Sequence, residues 1–125
     1  MTHEEIIALL ERFAQAWNRH DADALVSMMT SDGVFETFSG LEPFGTRHEG
    51  SEALRAVFKG IFKAFPDASW NDAQHVASGD RGFSEWTFRG TDQNGARTEV
   101  RGVDIFTLRD GQIARKDTFR KILTR

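Results

Sequence analysis

The fold is decided by the stretch T-E-V-R-G-V-D-I-F-T-L, residues 98–108, which ends at the turn Arg109-Asp110-Gly111. Successive side chains of a β-strand point to opposite faces, so alternate residues of this stretch share a face. One face carries Val100, Gly102, Asp104, Phe106 and Leu108. Asp104 is therefore a lone acid in an apolar row. We interpret the stretch as a strand with a ligand cavity on one side and a second subunit on the other.

The composition indicates a single domain over residues 1–125 that buries its core without metals or disulfides. The absence of cysteine excludes a disulfide scaffold, a thiolate metal site and a cysteine nucleophile. The net charge of -3 provides no basic field for nucleic acid. No apolar run approaches the roughly 18 residues that span a bilayer. We therefore expect a cytoplasmic protein without a nucleic-acid or membrane partner.

Three helices are predicted in the first half of the chain. Thr2 and Glu5 form a capping-box pattern at the start of the first helix, which runs to about residue 19. Asp21 can cap a shorter second helix. In the third helix, apolar residues recur every three or four positions from Leu54 to Phe65, until a proline ends the pattern. The apolar face of this helix must lie against a sheet.

Most of the remaining chain is predicted to be strand and turn. Ser31-Asp32-Gly33 is a predicted turn, Val34–Phe38 a short strand, and Ser39–Gly50 a loop. Longer strands are expected near residues 69–77, 82–91, 97–108 and 112–122, paired as an antiparallel meander. The result is an α+β domain in which a strongly bent antiparallel sheet of four or five strands wraps on the three N-terminal helices as a cone. A cone with one open end has room for a small apolar ligand.

Several motifs in this order of elements resemble one known family. They are F-A-Q-A-W-N-R-H-D at 13–21, F-P-D at 65–67, E-W-T-F-R-G-T at 85–91 and V-D-I-F-T-L-R-D-G-Q-I at 103–113. With these motifs the chain is similar to the SnoaL-like polyketide cyclases, within the nuclear transport factor two-like superfamily. The resemblance covers nearly the whole chain and implies the cone fold. The resemblance does not specify one function, because the superfamily includes isomerases, cyclases and members that catalyse no reaction.

Ketosteroid isomerase, a more distant resemblance, implies roles for single positions. Its oxyanion-binding aspartate matches Asp104, and that enzyme keeps the acid protonated so that it donates a hydrogen bond. Its general base matches Thr37 and its oxyanion-hole tyrosine matches Phe13, and neither residue can do the original job. In SnoaL-type cyclases the acid-base aspartate falls at Asp117 or Thr118. A shift of one residue on a strand changes the face.

The candidates for acid-base chemistry are Asp104, Asp117, Glu36 and His48. We expect Asp104 to be buried and protonated and to donate a hydrogen bond to a developing enolate, while one of the other candidates moves the proton. Glu36 could act beside Asp104 if both side chains point inward. The alternatives are a carboxylate at Asp104 paired with an arginine or with backbone amides, a solvated salt-bridged face for Asp117, and a structural role for His48.

Aromatic side chains are expected to form the cavity wall, with ordinary core packing as the alternative. The predicted ligand-binding residues are Phe13, Trp17, Phe58, Phe62, Trp86, Phe88 and Phe106. Motifs of nucleotide sites, serine hydrolases and zinc peptidases are missing, and the histidines are scattered. We therefore expect no cofactor and no metal, and a small apolar organic ligand that is neutral or weakly acidic.

Two functions remain open at this point. The first is a cofactor-independent isomerase, cyclase or lyase acting on a small apolar carbonyl compound. The second is a non-catalytic module of the same fold that binds a ligand or dimerises. A homodimer is expected because Val103 and Ile105 form an apolar centre on the face of their strand that the cavity leaves free.

Overall fold

The computed structural model describes residues 1–124, in which three helices accompany one six-stranded sheet. The helices are α1 (His3–Asn18), α2 (Ala22–Ser27) and α3 (Ser51–Ala64). The strands are β1 (Met29–Glu36), β2 (Arg47–Glu49), β3 (Ser69–Ser78), β4 (Arg81–Thr91), β5 (Arg97–Arg109) and β6 (Gln112–Arg120). The sheet has the order β2-β1-β6-β5-β4-β3, and it is curved and unclosed. The predicted α+β class is confirmed.

The helix starts follow from the predicted caps. The Thr2 hydroxyl accepts a hydrogen bond from the backbone N–H of Glu5 at 3.1 Å, and the Glu5 carboxylate accepts one from the backbone N–H of Thr2 at 2.8 Å. Asp21 accepts a bond from the backbone N–H of Ala24 at 3.0 Å. Each contact satisfies N–H groups that the first turn of a helix leaves free.

The strands differ from expectation around β1. Ser31-Asp32-Gly33 lies inside β1 and is not a turn, and β1 pairs in parallel with β6 with a register shift between Met29 and Val34. The turn-forming residues therefore form an irregular part of a strand, because pairing along the sheet overrides their local preference. The predicted loop 39–50 contains β2, which pairs antiparallel with β1. The sheet consequently has six strands and one parallel pair, where we expected four or five strands, all antiparallel.

The meander β3 to β6 has the predicted antiparallel pairing, with two irregularities. In the β5–β6 hairpin Leu108 pairs with Ile113, but the next pair joins Thr107 to Arg115. The residue between, Ala114, is thus an extra residue of the kind that forms a β-bulge. In β3 the register shifts between Asn71 and Gln74.

The concave face of the sheet packs on the helices, and the core fills the closed end of the cone. Most buried apolar residues of α1, α2 and α3 meet Phe106, Leu108 and Ile113 there. A smaller cluster, Ala68, Trp86, Phe88 and Val100, lies apart from it. On α3, Leu54 and Phe58 are buried, whereas Val57 and Ile61, together with Phe65 directly after the helix, are only half-buried. Within residues 1–124 no helix has the length and apolarity needed to cross a lipid bilayer.

The convex face of the sheet carries apolar side chains in its centre. Val103 pairs with Phe119 across strands, and Phe83 pairs with both Ile105 and Val76. Phe119 is 51% exposed and Val76 is 58% exposed. An apolar strip therefore crosses this face in the single chain.

Candidate functional site

A cavity of about 410 Å³ lies between α3 and the concave face of the sheet. Its volume falls within the range of small-molecule sites. The half-buried residues of α3 form one wall, which explains why the apolar stripe of that helix is only partly covered by the sheet. The lining consists of Trp17, Phe35, Thr37, Phe38, Ser39, Thr46, His48, Val57, Ile61, Phe65, Trp70, Trp86, Phe88, Lys116, Thr118 and Arg120.

Asp104 lies behind this cavity in a buried polar cluster. Its carboxylate accepts hydrogen bonds from the Trp86 indole N–H at 2.9 Å, the Thr118 hydroxyl at 2.6 Å and the Lys116 ammonium at 2.9 Å. The Lys116 ammonium also donates to the Thr118 oxygen at 2.7 Å. Asp104 and Lys116 are 6% and 4% exposed. The cluster is thus a buried ion pair with two further donors on the carboxylate.

The predicted burial of Asp104 is confirmed, but its predicted role as a protonated donor is wrong. Three donors point at its oxygens, and one of them is a cation, so the arrangement fits a carboxylate. Asp104 borders only a small void of about 30 Å³ beneath the cavity. The alternative of an ion pair at Asp104 is the one observed, although the partner is a lysine and not an arginine.

Lys116 presents a charged donor to the cavity. Its ammonium has three N–H donors, and within residues 1–124 Asp104 and Thr118 accept two of them, so one is left for a ligand oxygen. The Nζ atom lies 4.4 Å from the ring centre of Phe35 and 5.0 Å from that of Trp17. The aromatic faces and the carboxylate together hold the cation in the cavity wall.

Gly102 allows Trp86 to reach Asp104. Trp86 and Gly102 are direct cross-strand neighbours on β4 and β5. A Cβ atom on Gly102 would lie 2.3 Å from Cη2 of Trp86, closer than any real contact. The missing side chain therefore lets the indole lie across β5 with its N–H at the carboxylate.

His48 occupies the cavity wall in line with Lys116. Phe35 is the cross-strand partner of both residues, of His48 on β2 and of Lys116 on β6. Neighbouring strands are about 4.8 Å apart, so the backbones of His48 and Lys116 are separated by roughly 10 Å. An imidazole and an ammonium can therefore both reach one small ligand that lies over Phe35.

Glu36 lies on the opposite, convex face and does not join Asp104 in the cavity. It is 1% exposed and accepts hydrogen bonds from Arg47 at 2.9 and 2.7 Å and from Arg115 at 2.6 Å. Burial alone would raise the pKa of Glu36, but the two arginines outweigh burial and hold its pKa below the ordinary glutamate value. Its expected role as a second cavity acid is wrong, because its position in β1 places its side chain on the convex face of the sheet.

Asp117 belongs to the same convex cluster. It accepts a bond from Arg115 at 3.1 Å, so the salt bridge of the predicted alternative is present, but its side chain is only 16% exposed and the face is not solvated there. Burial raises the pKa of Asp117, and Arg115 offsets only part of that rise. Thr118, its neighbour, points into the cavity instead. The catalytic role considered for Asp117 therefore does not fit the geometry.

The predicted aromatic wall is divided between cavity and core. Trp17, Trp86 and Phe88 line the cavity, as expected. Phe13 and Phe106 line the small void beneath it. Phe58 and Phe62 pack edge-on against Trp17, with ring centres 5.0 and 5.4 Å away, and serve the core. Core packing was the stated alternative for all of them.

The sequence interpretation missed Lys116, Thr118 and Arg120 as cavity residues. Their alternation in β6 places them on one face, but the Ala114 bulge decides which face that is. The guanidinium carbon of Arg120 lies 3.9 Å from the ring centre of Phe38, and burial lowers the pKa of Arg120. Within residues 1–124 no group of three or more His, Asp or Glu side chains could hold a metal ion.

Comparisons with known proteins agree with this fold. A search of curated proteins found no match. A Xanthomonas campestris protein of known structure, provisionally named a polyketide cyclase, is 23% identical, with 94% of this chain and 90% of that chain covered and a TM-score of 0.83. A Silicibacter protein with the same provisional name is 19% identical, with 98% and 93% covered and a TM-score of 0.84. An NTF2-like protein of unknown function from Mesorhizobium loti is 26% identical, with 96% and 93% covered and a TM-score of 0.77.

The family assignment has its own evidence. The sequence model described as a SnoaL-like domain matches residues 10–116, which is most of the chain and runs from Leu10 in α1 to Lys116 in β6. The structural likenesses above show the fold, and the resemblance predicted from the motifs is confirmed. The chain belongs to the SnoaL-like domain family.

Proposed function

We propose that this protein binds a small, largely apolar carbonyl compound in the cone cavity and moves a proton on it without a cofactor, as an isomerase or cyclase does. The observation that carries the proposal is the Lys116 ammonium, fixed by Asp104 and Thr118 with one N–H left for a ligand. The provisional name polyketide cyclase of similar structures is consistent with this class of substrate.

In the proposed reaction the ligand carbonyl oxygen accepts a hydrogen bond from the free N–H of Lys116. An imidazole nitrogen of His48 takes a proton from the carbon next to the carbonyl, and the C–H electron pair forms the carbon–carbon double bond of an enolate. The carbonyl oxygen then carries the negative charge, which the buried ammonium stabilises. In an isomerisation the ligand is a β,γ-unsaturated ketone, so the enolate is a dienolate, and the His48 imidazolium returns the proton to its γ-carbon. In a cyclisation the enolate carbon attacks a second carbonyl of the ligand, and the His48 imidazolium gives its proton to the alkoxide that forms.

Asp104 acts in this scheme as a positioning residue. It orients the Lys116 ammonium at 2.9 Å, and Thr118 bridges the two groups at 2.6 and 2.7 Å. Because the donor is fixed before the ligand arrives, little reorganisation is needed when charge develops on the ligand oxygen. The cluster therefore takes the place of the protonated acid that the sequence suggested.

Hydrogen-deuterium exchange at the carbon next to the carbonyl of 1-tetralone, followed by NMR in D₂O, tests the catalytic step. We expect the protein to accelerate exchange over buffer, and His48→Gln and Lys116→Met each to lower the acceleration by roughly 100-fold. His3→Gln and Lys121→Met change exposed residues of the same types and serve as controls. An unmodified protein that exchanges the ketone no faster than buffer would leave binding without catalysis as the function.

Binding without catalysis is the second candidate, and one observation favours it. Within residues 1–124 the cavity lining contains no carboxylate, so His48 is the only ordinary general base on its wall. Binding alone still requires Lys116: we expect 2-naphthol to raise the melting temperature and Lys116→Met to weaken its binding about 10-fold, because hydrogen bonds to charged groups contribute about 1.5–3 kcal/mol. The binding affinity for naphthalene should be the same in the unmodified protein and in Lys116→Met. ATP or Mg²⁺ as the only stabilising additive would contradict both candidates.

We also infer a homodimer through the convex face of the sheet. The apolar strip around Val103 and Phe119 faces solvent in the single chain. A groove of about 560 Å³ beside it carries charges of both signs, including Glu85 and Arg101. Because the convex face carries both positive and negative charges, a second copy related by a two-fold axis can pair opposite charges around the apolar centre. A cytoplasmic location stays a prediction.

A further inference from the structure

We propose that the ligand of the cavity carries a carboxylate group and that Arg120 binds this carboxylate at the cavity mouth. The inference rests on the proposed function, because it assigns a second functional group to the same ligand. It names a substrate class, apolar carbonyl or phenolic acids, and a specificity-determining residue.

The first support is the position of Arg120. It is the last residue of β6 and shares the concave face with Lys116 and Thr118. Its guanidinium carbon lies 3.9 Å from the ring centre of Phe38 and 5.4 Å from that of Phe88. Phe38 is 40% exposed, so this end of the cavity faces the solvent. The two rings hold the guanidinium across the opening.

The second support is the unmet bonding capacity of this arginine. Its Nε atom is buried and has no hydrogen-bond partner within residues 1–124. A buried donor without a partner destabilises the fold, because it has lost its hydrogen bonds to water and gained none in return. None of the ion pairs within residues 1–124 involves Arg120, so the ring contacts alone hold its charge. A ligand anion would satisfy both the donor and the charge.

The third support is the balance of charge along the lining. Asp104 neutralises Lys116 at 2.9 Å, and the other described lining residues carry no carboxylate. Among the described residues of this lining, Arg120 is thus the one permanent charge without a counter-charge. A single positive charge with a planar pair of donors matches a monoanionic carboxylate, which guanidinium binds through two parallel hydrogen bonds.

The spacing of the two cations defines the shape of the ligand. Lys116 and Arg120 are four residues apart on one strand face, which separates their backbones by roughly 13 Å at about 3.3 Å per residue. Trp17, Trp86 and Phe88 line the space between them. A flat apolar body of about two fused rings, with an oxygen for Lys116 at one end and a carboxylate at the other, fits this arrangement.

Isothermal titration calorimetry with 6-hydroxy-2-naphthoate, its neutral amide and 2-naphthol tests the proposal. We expect the unmodified protein to bind the carboxylate at least 10-fold more tightly than the amide. Arg120→Met keeps an apolar side chain of similar length and should abolish this preference. Arg120→Gln, which keeps an amide donor without the charge, should do the same if the methionine variant does not fold. Arg101→Met, on the convex face, should keep the preference.

Two results would overturn the assignment. An unmodified protein that binds the amide as tightly as the carboxylate has no anion site. A preference that survives Arg120→Met and Arg120→Gln but disappears in Lys116→Met places the anion at Lys116. Failure of the proposed function gives a different pattern, in which 2-naphthol binds equally well with and without Lys116 while the carboxylate preference still depends on Arg120.

Discussion

Replacing Lys116 by methionine removes one charge of the buried ion pair and keeps most of the length of the side chain. Lys116 and Asp104 are 4% and 6% exposed, so the Asp104 carboxylate would stay in the interior without its counter-ion. Removing one partner of a buried pair typically costs about 3–5 kcal/mol. The indole of Trp86 and the hydroxyl of Thr118 still donate to Asp104. We therefore expect a loss at the lower end, about 3 kcal/mol, and a melting temperature lower by about 10 °C.

Urea unfolding followed by tryptophan fluorescence measures this loss, with Lys116→Met, Asp104→Leu and the double variant compared in one buffer. An apolar pair in place of an ion pair leaves no unpaired charge, so the double variant should lose less stability than the two single losses added together. We expect a coupling energy of at least about 2 kcal/mol. A Lys116→Met protein within 1 kcal/mol of the unmodified one, or strictly additive losses, would refute the ion pair as the anchor of the site.

The other predictions concern packing, pH and assembly. Gly102→Ala should destabilise the protein by about 1–3 kcal/mol, because the new Cβ would lie 2.3 Å from an indole carbon of Trp86. Gly60→Ala on α3, where a Cβ meets nothing within 4 Å, should stabilise it by about 0.5–1 kcal/mol. Melting temperatures of the two variants that shift in the same direction would contradict these two predictions. The pKa of Glu36 in the folded protein is held below 4.5, so the ionised Glu36 contributes its full stabilisation above pH 4.5 and loses it as the pH falls through the folded-state pKa. Urea unfolding should therefore show that Glu36→Gln loses less stability between pH 7 and pH 3 than the unmodified protein does. The pKa of Asp117 is raised above 3.8, so its ionisation opposes folding at neutral pH, and Asp117→Asn should be more stable at pH 7 but not at pH 3. Val103→Asp should convert the proposed homodimer to monomer in sedimentation velocity, and an unmodified protein that sediments as a monomer at micromolar concentration would rule that dimer out.

Local sequence signals predicted the helices and the meander because those elements depend on residues close together in the chain. The capping box at Thr2 and Glu5 and the apolar period of α3 are satisfied within one helix. β2 and the Ser31–Gly33 part of β1 were missed, since their strand conformation comes from partners elsewhere in the sheet. Propensity alone does not contain that information.

The candidate site could be predicted only in part, for a reason of register. Continuing the first pairs of the β5–β6 hairpin would set Asp104 opposite Asp117, whereas the extra residue Ala114 sets it opposite Thr118. The same shift brings the Lys116 ammonium to the Asp104 carboxylate. The period of two showed which residues of β6 share a face, and it could not show that these residues face Asp104.

The free edges of the sheet have a consequence for the protein at high concentration. An open cone keeps two unpaired strand edges, which normally invite other chains to add strands and grow aggregates. One edge, β2, has three residues, and the other, β3, is interrupted at Asp72, whose φ of 57° breaks the regular run of backbone N–H and C=O groups. Open-ended growth by strand addition is thereby discouraged at both edges, and the chain keeps an accessible cavity without closing its sheet into a barrel.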